Sequence, residues 1–387
     1  MLLYPVYALL FAQAGLSTAQ ISSLLAIWSV TSFILEIPSG VWADATSRRL
    51  LLVAGPLLQA AGYALWIIAP SYPAFAVGFA LWGVAGALQS GALEALVYEE
   101  LDRVGAAARY PHVIGRATAI GTVAATLAIG LAAPVFAAGG YTAVGVASVL
   151  ACLAGAAIAA TFPEHRAAVV SDGVSGLRAY AAVLKAGVAE VRSGPALRGA
   201  LALVPAVTAI WGALDEYLPL LATDTGVADE TVPLLFLLVY IGVAAGGLLG
   251  GPASRLSRRA LAGLLAAAAT GLALGALSGL PAGFVGIAAA FCAFQALQVV
   301  VDTRLQDAIR GPARSTVTSL AGLATELLVL AVFAGYGAGS ALAGDATLFA
   351  CFAGVYVVIA AAMLRAEPSR RSRRRTRPLG RSHRRVG

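Results

Sequence analysis

Long apolar stretches separated by short polar ones dominate the hydropathy pattern of this chain of 387 residues. A helix rises about 1.5 Å per residue, so roughly 17 to 25 apolar residues cross about 30 Å of hydrocarbon. Eleven stretches are long enough to span a membrane, and the first one is shorter. The pattern predicts twelve helices, over residues 1–14, 20–43, 50–69, 74–98, 113–137, 141–162, 198–222, 232–253, 260–279, 282–303, 314–338 and 345–364.

The first stretch is too short to span the membrane by itself. Ala12, Gln13 and Ala14 match the pattern of a signal-peptide cleavage site, but no positively charged region precedes them and many further spans follow. We therefore disfavour a signal peptide. We hypothesise instead that the true start of the reading frame lies upstream and that the first half of this helix is missing.

The composition agrees with a lipid environment. Hydrophobic residues make up 60% of the chain and charged residues only 12%, whereas a soluble domain carries about 25% charged residues to wet its surface. The apolar content excludes disorder, and three cysteines are too few for a disulfide scaffold. We predict an all-α integral membrane protein.

The formal net charge of +7 would by itself admit a nucleic-acid partner. The excess is confined to residues 365–387, which hold ten arginines and one glutamate, whereas residues 1–364 hold 16 basic and 18 acidic residues. We therefore expect no nucleic-acid partner. The tail is predicted to be disordered and cytoplasmic, where it either binds anionic lipid headgroups or stays solvated.

The basic residues also indicate the orientation, because lysine and arginine collect in cytoplasmic loops. With the N-terminus inside, all 26 basic residues lie in inside loops or in the tail. This predicts a multi-pass protein of the inner (plasma) membrane with both termini cytoplasmic. Two six-helix bundles, over 1–163 and 198–364, flank a cytoplasmic linker over 164–197, which is either an amphipathic helix or a solvated segment.

A spaced motif, Gly40-x-x-x-Asp44-x-x-x-Arg48-Arg49, lies between the second and third predicted helices. A weaker copy over residues 250–259 follows the eighth helix at an offset of 210 residues. Together with twelve helices in two halves, this motif resembles the loop signature of the Major Facilitator Superfamily. The resemblance implies two pseudo-symmetric six-helix halves and a cytoplasmic gate formed by Glu36, Gly40, Asp44, Arg48 and Arg49.

Carboxylates at bilayer depth cost about 2.5 to 3.5 kcal/mol each, so each one is retained for a partner or a task. Glu326 lies deepest and is our first candidate for a proton or substrate site. Alternatively, it is a structural acid bonded to a Ser or Thr on a neighbouring helix. Asp215 and Glu216 are adjacent, so they point about 100° apart and are not expected to face one cavity centre together.

Further polar residues complete the predicted cavity. Glu94 continues a stripe toward the inner end of helix 4, either as a site residue or as a partner for loop arginines. Gln295 and Gln298 follow one face of helix 10. We rank these glutamines above the aromatic residues Tyr4, Tyr7, Trp211 and Tyr240, because an aromatic residue in a membrane helix more often serves packing. Few charges favour a small solute that is hydrophobic or weakly charged.

The leading functional hypothesis is a monomeric secondary transporter that works by alternating access and exports a drug or metabolite with proton coupling. One alternative is proton-coupled uptake of a small metabolite. An alternative of another class is a membrane receptor or assembly factor that acts through the arginine-rich tail. The sequence holds no catalytic or metal-ligand motif, so we expect neither an enzyme nor a cofactor, with the proton gradient as the energy source.

Overall fold

The computed structural model describes residues 1–165, 194–309 and 314–365. The predicted linker falls almost wholly outside these ranges, and so does the tail beyond Arg365. We call residues 1–165 the N-terminal segment and the described residues from 194 to 365 the C-terminal segment. Within these ranges every regular element is a helix, which confirms the all-α prediction.

The N-terminal segment starts with a 3₁₀ turn over Tyr4–Val6. The helices that follow are α1 Tyr7–Gln13, α2 Thr18–Ala45, α3 Arg48–Ile68, α4 Tyr72–Gln89, α5 Ala92–Arg103 and α6 Tyr110–Ala160. Helix α6 is kinked at Gly139 and Gly140, where Gly140 has a φ of 59°, a value that favours glycine. The kink separates the predicted helices over 113–137 and 141–162.

The C-terminal segment contains a second interrupted span. Its helices are α7 Pro195–Leu214, α8 Leu218–Asp224, α9 Val232–Ala253, α10 Arg258–Leu277, α11 Gly283–Ala308, α12 Arg314–Gly339 and α13 Asp345–Arg365. A 3₁₀ turn over Asp215–Tyr217 joins α7 to α8.

Ten stretches of the described residues are long and apolar enough to cross a membrane. One of them, Ala107–Ala160, contains the kinked α6 and is 54 residues long, enough for two crossings. With the short first segment these elements accommodate twelve crossings. The count of twelve stays a prediction, because α1 is too short to span.

The predicted continuous helix over 74–98 is wrong in its inner part. Helix α4 ends at Gln89, and Gly91 has a left-handed φ of 70°, so the chain leaves the helix and α5 begins at Ala92. A side chain at this φ would be strained, whereas glycine adopts it freely. The stripe predicted to carry Glu94 is therefore not one face of a continuous helix.

The described arginines lie at one end of the helical bundle. They lie where α2, α5, α9, α11 and α13 end and where α3, α6, α7, α10 and α12 begin. We call this the arginine-rich end and the opposite one the arginine-free end. The two segments meet where α1 packs on α8, α2 on α12 and α6 on α9.

Close helix contacts in each segment depend on glycine. A Cβ atom at Gly246 of α9 would overlap the backbone carbonyl of Cys292 on α11. A Cβ atom at Gly83 of α4 would lie 2.9 Å from Thr31 Cβ and 3.0 Å from the carbonyl oxygen of Trp28, both on α2. The glycine at 83 therefore lets α2 and α4 approach and brings two tryptophans, Trp28 and Trp82, side by side.

Candidate functional site

Asp215 and Glu216 lie in the 3₁₀ turn between α7 and α8, and each is only 8% exposed. The turn occurs here because Pro219 has no N–H to bond the carbonyl of residue 215 and its ring crowds that carbonyl. A break in a membrane-spanning helix thus places two carboxylates inside the protein. We call Asp215 and Glu216 the acid pair.

Tyrosine hydroxyls surround the acid pair from both segments. In the N-terminal segment, Tyr4 donates to Asp215 Oδ2 at 3.0 Å and approaches Glu216 Oε1 at 3.4 Å, and Tyr7 donates to Glu216 Oε2. In the C-terminal segment, the Tyr240 hydroxyl lies 2.9 Å from Asp215 Oδ2 and 3.2 Å from the Tyr4 hydroxyl. The network therefore bridges the two segments.

We did not expect Asp215 and Glu216 to face one cavity centre together, yet one network of tyrosine hydroxyls contacts both acids. Adjacent side chains do point in different directions, but the turn is enclosed on one side by Tyr4 and Tyr7 and on another by Tyr240 of α9. Tyr4 lies within hydrogen-bond reach of both carboxylates and links them. Neither acid reaches the outer surface.

The donors around the acid pair are fewer than its acceptors. Each tyrosine hydroxyl carries one proton, so Tyr4, Tyr7 and Tyr240 supply three protons to four carboxylate oxygens. Asp215 Oδ1 is buried and has no hydrogen-bond partner among the residues that the structure describes. A buried oxygen without a partner costs roughly 1 to 3 kcal/mol. The site is thus short of one donor or one proton.

An aromatic wall adjoins the acid pair through Tyr4. We define this wall as Tyr4, Trp28, Trp82, Phe236 and Tyr240. The Tyr4 ring centroid lies 6.3 Å from that of Trp82, 5.6 Å from that of Phe236 and 6.3 Å from that of Tyr240. Trp82 continues the wall to Trp28 at 5.6 Å. All members except Phe236 are partly exposed.

Glu326 lies on α12, away from the acid pair. It is partly buried, and Ser29 of α2 donates to its Oε2 at 2.8 Å. This is the arrangement of the alternative interpretation, a structural acid bonded to a serine on a neighbouring helix. The bond also crosses between the two segments.

The acid pair is not joined to Gln295, Gln298 or Glu94. Gln295 and Gln298 are partly buried on α11 and make no hydrogen bond to it. Glu94 is exposed in the first turn of α5, at the arginine-rich side of the break after α4. Among the described residues, no group of three or more His, Cys, Asp or Glu side chains could hold a metal ion.

The predicted gate is described only in part. Glu36, Gly40 and Asp44 belong to α2, but their side chains lie outside the described residues. Arg48 pairs with Glu99 of α5, and Arg49 donates to the carbonyl of Phe162 at 3.3 Å. Both arginines thus hold the start of α3 to other parts of the N-terminal segment.

A further carboxylate at the arginine-rich end was not predicted. Glu164 accepts hydrogen bonds from the Ser47 hydroxyl and, at 2.7 Å, from the backbone N–H of Arg48. Partial burial acts to raise the pKa of Glu164, but these hydrogen bonds outweigh it and hold that pKa below its ordinary value. Glu164 therefore caps α3 from the far end of the segment.

Our ranking of glutamines above aromatic residues missed the donors that surround the acid pair. Tyr4 and Tyr7 are three residues apart in a short apolar helix, and each can give a hydroxyl proton to a buried acid. A count of hydroxyl groups on the helices next to each membrane carboxylate could have found them. The pairing itself is long-range, because Tyr4 and Asp215 are 211 positions apart in the sequence.

Solved transporter structures share the fold at low sequence identity. A mutant of the nucleoside transporter NupG matches with a TM-score of 0.72 and 12% identity, with 95% of each chain covered. An auto-inhibited POT-family peptide transporter gives 0.61 and 15%, with 95% of this chain and 91% of that chain covered. A bacterial homolog of the human lysosomal transporter Spinster, inward-facing and unoccupied, gives 0.62 and 16%, with 94% and 91% covered.

The family itself is identified by a comparison with family models. A search of curated proteins gave no match. The family model described as Major Facilitator Superfamily matches residues 1–328, which is most of the chain. This match agrees with the multi-pass helical fold and with the predicted motif, and it indicates a transporter rather than an enzyme. The chain belongs to the Major Facilitator Superfamily.

Proposed function

We propose that this transporter exports a small solute in exchange for protons and that the acid pair is the site where the proton binds. The observation that carries this proposal is the buried Asp215 Oδ1, which has no hydrogen-bond partner within the described ranges and lies beside a second buried carboxylate. A proton, or a donor group of the solute, is what this oxygen lacks.

Electrostatics favours one proton on the acid pair when no solute is bound. Two adjacent ionised carboxylates repel each other, and burial removes the water that would screen them. In the described part of the chain, the hydrogen bonds to both acids come from uncharged tyrosine hydroxyls. Further titratable groups near Glu216 are Tyr63 of α3 and Tyr217 of the same turn, which are also neutral as phenols. One shared proton removes most of the repulsion.

The position of the acid pair couples this proton to a conformational change. Its donors Tyr4 and Tyr7 belong to the N-terminal segment, whereas the acids belong to the C-terminal segment. Opening the arginine-free end separates these partners. The protonation state of the pair therefore changes the free energy of opening, which is the linkage that a proton-coupled transporter needs.

Competition at the acid pair supports export. If the proton and the solute use the same carboxylate oxygens, they occupy the site one at a time. They then cross the membrane in opposite directions, so an inward proton gradient drives the solute outward. Uptake together with a proton would require both to be bound at once.

The proposal includes the placement in the cell. The arginine-rich end faces the cytoplasm of a plasma membrane, because positive residues are retained on that side. Both termini then lie inside. The two segments enclose the site within one chain, since donors and acceptors of the acid pair all come from it, so a monomer suffices.

A pair of spin labels tests the coupling without knowledge of the solute. Ile68 ends α3 and is 80% exposed, and Leu280 lies between α10 and α11 and is 60% exposed, so labels at these positions report the opening of the arginine-free end. We expect the distance distribution to change with pH. In the double variant Asp215→Asn/Glu216→Gln it should not respond to pH.

Glu326→Gln is the matched control, because it neutralises another membrane carboxylate that bridges the segments. It should keep the pH response. If Glu326→Gln abolishes the response and the double variant keeps it, the coupling site is Glu326 and the proposal is wrong. For direction, proteoliposomes with an imposed pH gradient and a solute panel should show solute movement against the proton flow, and co-directional movement would refute export.

A further inference from the structure

We infer that the transported solute is a monovalent organic cation with an apolar body, bound between the acid pair and the aromatic wall. This inference rests on the proposed function, because it uses the same carboxylates. It adds the chemical class of the solute, which neither the family nor the related structures specify.

The charge of the site selects a cation. When the shared proton leaves, the acid pair carries two negative charges, and the described part of the chain offers Asp215 Oδ1 no donor. A monovalent cation beside this oxygen would return the net charge of the site to the single negative charge that the pair carries with one proton bound, and an N–H on the cation would also fill the missing hydrogen-bond position. An anion would add repulsion, and a neutral solute would leave both buried negative charges without a counterion.

The surroundings select an organic cation over a metal ion. A metal ion such as Na⁺ or Mg²⁺ would be bound only by the carboxylate and tyrosine hydroxyl oxygens, whereas an organic cation also contacts the aromatic wall beside them. Aromatic rings attract cations within about 6 Å of their centres. Tyr4 joins both features, since its hydroxyl binds the acid pair and its ring contacts Trp82, Phe236 and Tyr240.

Partial exposure identifies the part of the wall that can receive the apolar body. Trp28 and Trp82 are partly exposed and lie side by side at 5.6 Å on helices of the N-terminal segment. Large aromatic surfaces within a membrane protein that are not fully packed offer contact area to a solute. The cationic group would lie at Asp215 and the apolar body along these rings.

Binding and proton release are one balanced exchange. The cation enters, one proton leaves the acid pair for water, and the total charge is conserved. No bond other than the O–H bond of the carboxyl group is broken. The affinity for the cation should therefore rise about tenfold for each pH unit over the range in which the free pair holds its proton.

Two ions of equal shape and opposite charge test the inference on the purified full chain. Calorimetric titration with tetraphenylphosphonium should show binding and the release of about one proton, read from buffers of different ionisation enthalpy. Tetraphenylborate should not bind at the site. Benzyltrimethylammonium is the smaller second probe, and failure of both cations to bind would overturn the inference.

Variants locate the binding. Asp215→Asn should weaken tetraphenylphosphonium binding at least tenfold and abolish the proton release, and Trp82→Leu should weaken binding about tenfold while proton release per cation bound persists. Two control variants should leave the tetraphenylphosphonium affinity and the proton release unchanged. Glu326→Gln changes a carboxylate outside the acid pair, and Tyr98→Leu changes an exposed aromatic residue at the arginine-rich end. Equal binding of tetraphenylborate, or binding that survives Asp215→Asn, would refute the site.

The outcomes separate the two proposals. If the spin-label pH response depends on the acid pair but neither cation binds, proton coupling stands and the cation class falls. If sodium chloride binds with proton release and the organic cations do not, the site takes an inorganic cation. If the cation binds but the distance distribution between the spin labels does not change with pH, the binding site stands and the proposal of proton coupling at the acid pair is wrong.

Discussion

The hydroxyl pair Ser22–Tyr217 allows a quantitative test of how the arginine-free end is held closed. Tyr217 of the C-terminal segment is fully buried, and its hydroxyl lies 2.7 Å from that of Ser22 on α2, which is 3% exposed. Ser22 also donates to the carbonyl of Thr18 at 2.9 Å, so Tyr217 is the donor in the pair. Tyr217→Phe removes one hydrogen bond between the segments and keeps the ring.

The expected effect follows from the energy of that one bond. A neutral hydrogen bond contributes about 0.5 to 1.5 kcal/mol net, and about 1.4 kcal/mol corresponds to a tenfold change in an equilibrium constant. Tyr217→Phe should therefore raise the ratio of open to closed arginine-free ends roughly 2-fold to 12-fold. The assay is the distance distribution between labels at Ile68 and Leu280, in a background without the three native cysteines.

Tyr336→Phe is the matched control for this experiment. Tyr336 stacks on Tyr217 at 3.7 Å and is equally buried, but its hydroxyl donates to Asp345 Oδ1 within the C-terminal segment. Its loss should leave the ratio unchanged, because no bond between the segments is removed. If Tyr336→Phe opens the end as much as Tyr217→Phe does, or if Tyr217→Phe has no effect, the assignment of a closing role to the Ser22–Tyr217 bond is wrong.

Two further predictions concern stability. Gly246→Ala should lower the free energy of unfolding by about 1 to 3 kcal/mol, because the new Cβ atom overlaps the backbone of Cys292. Gly247→Ala is the control and should leave the stability unchanged, because the space around Gly247 is open. Equal melting temperatures of the two variants would contradict the close packing of α9 on α11. Folding lowers the pKa of Glu164 from 4.5, so the ionised carboxylate stabilises the folded protein. This contribution is fully present above pH 4.5 and is lost as the pH falls through the lowered pKa of the folded state. Glu164→Gln should therefore reduce the melting temperature at neutral pH but not in strong acid, and a pH-independent difference would refute the cap.

The hydropathy pattern along the sequence was sufficient to predict most of the helices. Helix spans such as Val232–Ala253 and Asp345–Arg365 begin and end close to the predicted 232–253 and 345–364, because a helix that crosses lipid must be apolar along its whole length. The break at Gly91 escaped the hydropathy pattern, since a single glycine inside an apolar run does not change its mean hydropathy. The same holds for the turn at 215–217, which the following Pro219 indicates only in hindsight.

The sequence by itself determined the solvent, the class of fold and the candidate carboxylates, because hydrophobicity and charge are properties of single residues summed over short windows. The superfamily motif likewise lies within ten consecutive residues, from Gly40 to Arg49. Only the tertiary structure decided which acids lie in one hydrogen-bond network. Tyr4 and Tyr7 meet Asp215 and Glu216 across more than 200 residues, and a hydrogen bond forms only where packing brings donor and acceptor within about 3 Å, a distance that no local pattern encodes.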